Sequence, residues 1–197
     1  MNFRHGFKKN IFFVFLSLFI FLLFFIFASG KQKYSLQEAL KVIGVLEIIR
    51  IEQNKEDAGP LRKTVITESE LNSYIAYRID TEREKIMKEL RLKLFKANKI
   101  EGKIFFDLTA QDVPKILRSQ MTFYFEAKLQ VEKGRAKLKV KKLYLDKQRV
   151  PSLILDSIIY ISARIENLEV SSISDWYELP YGIKNIETYP GQAVIFY

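Results

Sequence analysis

The sequence predicts an α+β protein in which one N-terminal transmembrane helix precedes a curved antiparallel sheet packed on one or two helices. Three observations carry this. Residues Ile11 to Ala28 form an apolar run of eighteen residues. Thr67-Glu-Ser-Glu70 has the spacing of a capping box and leads into helical periodicity. From Phe123 to Val131, and again from Ala136, apolar residues alternate with polar ones across a Lys133-Gly134 turn, which is the period of a strand.

The apolar run reads IFFVFLSLFIFLLFFIFA, with Ser17 its only polar side chain. At about 1.5 Å per residue it would span roughly 27 Å, close to the hydrocarbon thickness of a bilayer. Ala28, Ser29 and Gly30 place small residues where a signal peptidase could act, so a cleaved signal competes with an uncleaved anchor. Arg4, Lys8 and Lys9 precede the run and favour a cytoplasmic N-terminus. The chain is therefore expected at the cell (inner) membrane as a single-pass protein with its C-terminal domain outside the cytoplasm, periplasmic in a two-membrane cell. It divides into 1–30 as the basic end and anchor, 31–63 as a juxtamembrane helix or strand with a loop, and 64–197 as an α+β domain.

Beyond Gly30 the composition is that of one globular domain. Ten of the sixteen Phe lie before Gly30, and three of the +9 net charge also lie there, leaving +6 for the exported part. Such a surplus suits anionic headgroups or a polyanion, although more often it serves solubility. There is no Cys and the single His is His5, so zinc sites, Ser/His/Asp triads and Cys/His pairs are closed to the domain. Asp107, the lone acid of Ile104 to Leu108, is the most suggestive carboxylate, yet a strand-end acid facing solvent accounts for it. No glycine-rich phosphate loop is present. The expectation is a non-enzyme with no metal and no cofactor, and its location disfavours nucleic acid as a partner.

In chain order, Ser35-Leu-Gln-Glu38 caps a helix that Gly44 could end, and Val45 to Ile51 is rich enough in β-branched residues to be a strand instead. Asn54 to Lys63 reads as a loop. The helix opened by Thr67 carries Leu71, Tyr74 and Ile75 toward a core and stops near Thr81. Leu90, Leu92 and Leu94 alternate with Arg91 and Lys93, and Ile104 to Leu108 resumes after Asn98 to Gly102, which suggests a hairpin. Ala110 to Ser119, with Pro114 in its first turn, reads as a short helix.

The hairpin around Lys133-Gly134 allows its register to be worked out. If Glu132 opposes Arg135, then Val131 meets Ala136, Leu129 meets Leu138, and Ala127 meets Val140. Phe125 would next meet Lys142, so a bulge near Lys141-Lys142 is needed to restore the faces. On the outer face Glu126 would neutralise Lys141, while Lys137 faces Gln130 and Lys139 faces Lys128 directly. Such a like-charge pair hints at an anionic partner, although Lys-rich strands also protect sheets against aggregation. Pro151 then opens a helix bearing Leu153, Ile154, Leu155, Ile158, Ile159, Ile161 and Ile165. After the polar stretch Ser171 to Asp175, Leu179-Pro-Tyr-Gly182 leads through Ile183 to Thr188 and a Pro190-Gly191 turn into the strand Gln192 to Tyr197.

The run Thr67-Glu-Ser-Glu-Leu-Asn-Ser-Tyr74, the hairpin entering Arg149-Val-Pro151 and its apolar helix, and the Leu-Pro-Tyr-Gly-Ile183 lead into a last hairpin resemble exported bacterial proteins of the tubular lipid-binding (TULIP-like) type. The resemblance covers roughly residues 64 to 197. It implies a strongly curved sheet wrapped around a long helix, acyl chains held in the apolar interior, and no catalytic residues.

The expected function is thus a membrane-tethered binding protein for a lipid or other apolar ligand. Its candidate lining is Leu71, Ile75, Phe123, Phe125, Leu129, Leu138, Val140, Ile154, Ile158 and Ile161, for each of which plain core packing is the simpler account. Arg135, Lys137, Lys139 and Lys128 are the candidate headgroup or anion site. The alternative is an anchored structural or assembly protein of the cell envelope, with a closed core, that binds a protein partner through an edge strand.

Overall fold

In the computed structural model, which describes residues 34–53, 60–82, 85–110, 118–166, 172–180 and 182–197, the chain is α+β with antiparallel sheets. The Ile11–Ala28 run, the body of the expected Ala110–Ser119 helix and most of the Asn54–Lys63 loop lie outside the described residues. Among the described residues no helix is long and apolar enough to cross a membrane.

The first helix, α1, spans Leu36–Gln53. The Ser35 hydroxyl accepts from the Glu38 N–H at 3.3 Å, but the Glu38 carboxylate does not close the box. It accepts instead from the Ser69 and Ser73 hydroxyls of the next helix, at 2.9 and 2.7 Å. α1 runs straight through Gly44, so of the readings open for this stretch Val45–Ile51 is helix rather than strand. Ala39, Val42 and Ile49 recur at helical spacing and are buried, and this packing outweighs the roughly 1 kcal/mol that a mid-helix glycine costs.

Strand β1 (Lys63–Thr67) is one that the sequence reading missed. It ends at the full capping box of α2 (Glu68–Thr81), where the Thr67 hydroxyl accepts from the Glu70 N–H at 3.2 Å and the Glu70 carboxylate accepts from the Thr67 N–H at 2.8 Å. Two antiparallel strands follow, β2 (Met87–Leu94) and β3 (Lys99–Asp107). Their connection is tighter than expected. The turn is Lys96–Asn98, with Ala97 and Asn98 at φ 56° and 61°, and Gly102 lies inside β3 opposite Phe125.

β4 (Gln120–Glu132) and β5 (Arg135–Leu145) pair in the register worked out from sequence, from Glu132 opposite Arg135 to Ala127 opposite Val140. The register then shifts between Glu126 and Ala127, so Glu126 faces Lys142, Phe125 faces Leu143, and Lys141 is the extra residue of a bulge. A two-residue β6 (Gln148–Arg149) leads into α3 (Ser152–Glu166), and β7 (Tyr177–Glu178) returns to pair with Ala136 and Arg135 of β5. The large sheet has the order β2-β3-β4-β5-β6. The closing hairpin, β8 (Asn185–Tyr189) and β9 (Gln192–Phe196), does not join it. It takes β1 as a third strand, giving a separate sheet of order β1-β9-β8.

Each sheet has its own core. The apolar face of the large sheet, with Phe106, Phe123, Phe125 and Leu143, packs around Leu155 and Ile158 of α3. The small sheet sets Ile66 and Ile195 against Val42 and Ile49 of α1. Leu71 of α2 and Ile186 of β8 touch both, which ties the two together.

Candidate functional site

The apolar lining candidates separate into three groups. Phe123, Phe125 and Ile158 are 0%, 4% and 1% exposed and belong to the packed interior of the large sheet. Leu71, Leu129, Leu138 and Val140 are half-buried around that cluster, forming its rim. Ile75 and Ile161 are half-buried without joining it, and Ile154 is 36% exposed, on the outer side of α3 beside Leu153 at 71%. The helix therefore turns Leu155 and Ile158 into the core, with Ile159 and Ile165 packed beside them, a narrower face than its sequence implies. Pro151 starts it as expected, its C=O accepting from the Ile154 N–H at 3.2 Å. Downstream chain returns to it, because the Asp156 carboxylate accepts from the Ser172 hydroxyl at 2.8 Å and the Ile173 N–H at 3.1 Å.

The four basic candidates share the polar face of the sheet. Lys99, Lys128 and Lys139 stand abreast in one cross-strand row over β3, β4 and β5. Lys99 is paired, its ammonium 2.9 Å from Glu101 and 3.7 Å from Glu126, whereas no ion pair reaches Lys128 or Lys139 among the described residues. The bulge alters one expected pairing. Glu126 binds Lys142, at 3.1 Å, rather than Lys141, and this contact, with Lys99, holds its carboxyl below the usual range. Arg135 and Lys137 lean on Trp176 instead, with the Lys137 ammonium 4.6 Å and the Arg135 guanidinium 5.7 Å from the ring centre.

Trp176 is one wall of a cleft of about 490 Å³ that also meets Asn98, Lys128, Lys137 and Asn185. Its other wall is made of four consecutive β4 residues, Leu129 to Glu132. Consecutive strand residues point to opposite faces, so what the cleft meets there is the edge of β4, beyond Lys128, where β3 has ended. Trp176, Asn98 and Asn185 were not foreseen from sequence. The sole tryptophan of the chain, next to a polar stretch, was the available signal for the first. The left-handed turn that positions Asn98 left none.

Asp107 closes a turn. Hydrogen bonds from the Thr109 hydroxyl and N–H, and then from Gln120, hold its carboxyl below the usual range at the end of β3. Among the described residues no three His, Cys, Asp or Glu side chains gather as a metal site would require. Comparison of the chain with known proteins finds no matching family model, no matching curated protein and no matching solved structure.

Proposed function

We propose that this protein is a membrane-tethered, extracytoplasmic and non-catalytic binding module that accommodates a lipid or other apolar ligand between α3 and the large sheet. The observation that carries the reading is the unsealed rim of that interior. Leu129, Leu138 and Val140 lie on the apolar face of the β4–β5 hairpin yet are only half-buried, while Phe123 and Phe125 on the same face are sealed. α3 thus covers the sheet unevenly and leaves its own Leu153 and Ile154 in solvent. The TULIP-like resemblance and the Ile11–Ala28 run support the ligand class and the tether. Native mass spectrometry of residues 31–197 should find co-purifying lipid, and Leu129→Trp should reduce uptake of a fluorescent fatty acid more than it reduces stability. A lipid-free domain that fails to bind the fatty acid sinks the proposal.

The open edge of β4 favours a second reading, an anchored assembly protein that takes an extended partner segment at Leu129–Glu132. In a hairpin with a two-residue loop the flanking pair, Glu132 and Arg135, is hydrogen-bonded, so the main chain of Val131 points away from β5. A photo-crosslinker at Gln130 should then capture one partner protein, and Val131→Pro should abolish the adduct while leaving the hairpin intact.

A further inference from the structure

We infer that the outer face of α1 lies on the membrane surface, with Leu36, Leu40, Ile48 and Ile51 immersed where headgroups meet acyl chains. This rests on the tether proposed above.

α1 is apolar on two sides. Ala39, Val42 and Ile49 face the small sheet and are buried, whereas Leu36, Leu40, Ile48 and Ile51 are 41%, 50%, 53% and 53% exposed. At about 100° per residue those four, with Gly44 among them, fall in one sector of roughly 120°. A Cβ added at Gly44 would meet nothing within 4 Å, so the middle of the sector is open as well. A helix that is hydrophobic all round is normally buried all round, and this one is covered on one side only.

Chain connectivity supplies the occupant. Leu36 is eight residues beyond Ala28, where the apolar run ends, and eight residues reach at most about 27 Å. If the run spans a bilayer, the start of α1 cannot leave its vicinity. Charge agrees, since the connection carries Lys31 and Lys33, whose stems can lie along apolar surface while their heads reach headgroups, and Lys41 and Arg50 flank the sector, engaged with Glu70 and Glu47. The sector also holds Gln37 and Glu47, the latter paired with Arg50 at 2.5 Å, which suits the interfacial depth rather than the hydrocarbon centre.

The chain has no cysteine, so single labels are straightforward. Full-length Leu40→Cys and Ile48→Cys, each carrying an environment-sensitive fluorophore, would be reconstituted into phosphatidylcholine/phosphatidylglycerol vesicles with and without doxyl-labelled lipid. Both labels should lose at least half of their emission to doxyl groups near the headgroup. A chain that floats with the vesicles while both labels stay unquenched overturns the inference and leaves the tether standing. Labels shielded from aqueous iodide and from doxyl lipid alike show a second copy on this face and also overturn it. A chain that does not float overturns tether and inference together.

Discussion

The Asn72 carboxamide clasps the main chain of Leu92, donating to its C=O and accepting from its N–H, both at 2.8 Å. β2 is the edge of the large sheet, and a side chain of α2 here takes the part of a neighbouring strand. The Glu68 carboxylate continues the pattern by accepting from the Leu94 N–H at 2.7 Å. Replacement of Asn72 by Ala should cost about 2 kcal/mol in urea unfolding, because a donor and an acceptor lose their partner together. The variant should also scatter light on storage sooner than wild type, its edge being open to pairing. Unchanged stability would show that water replaces the clasp.

Glu70 links three elements, accepting from the Thr67 N–H in its capping box and binding Lys41 of α1 through the same carboxylate. Burial acts to raise its pKa, but the Lys41 ammonium and the Thr67 N–H and hydroxyl outweigh it, so the carboxyl is held below its ordinary value. The sign follows from linkage. A depressed folded-state pKa contributes stability in full above the unfolded value, near pH 4.3, and loses it as pH falls through the folded one. Glu70→Gln should therefore lower stability at pH 7 by about 1 kcal/mol and flatten its decline on acidification. Parallel pH profiles for the two proteins would refute this.

A Cβ at Gly102 would sit 2.3 Å from Cζ of Phe125, so the ring lies directly against the β3 backbone. Gly102→Ala should destabilise the protein by about 1 to 3 kcal/mol, as overpacking does. Phe125→Leu should cost stability by itself yet make Gly102→Ala nearly harmless in the double variant. The double-mutant cycle measures that coupling, and additive losses would contradict it.

The Lys128/Lys139 pair offers a test in the opposite direction. Lys139→Glu should raise stability by up to about 1 kcal/mol by replacing a cross-strand repulsion with an attraction, and the gain should shrink in 1 M salt. If it also weakens binding to anionic vesicles, the row acts as a headgroup contact. A gain in stability without loss of binding leaves it a solubility feature.

The sequence made legible whatever rests on short-range rules. The Thr67 box and its helix, the β4–β5 register and the bulge at Lys141 all follow from local spacing and the two faces of a strand. The stretch around Gly44 stays open in sequence because local propensity cannot weigh the packing of Val42 and Ile49 against Ile66 and Ile195. β1 escaped because five residues with one buried position, Ile66, carry little periodicity. The apolar candidates were chosen by face, and face proved right for the strands. How deep each lies depends on how far α3 reaches, which put Phe123 in the interior, Leu129 at the rim and Ile154 in solvent. Trp176 reaches Arg135 and Lys137 because β7 returns to β5, a pairing across some forty residues that has no local trace.

Among the described residues β1 pairs with β9 alone, and the Thr188 hydroxyl is fastened to the Phe95 C=O across 93 residues at 2.6 Å. The small sheet and the core beneath it thus wait for Gln192–Phe196 to arrive. Contacts of such separation form slowly. If the domain is exported as proposed, β1 would reach the far side of the membrane with no strand to pair with until Gln192–Phe196 emerged. On that proposal, the late closure that slows folding would also keep the small sheet from forming before transfer is complete.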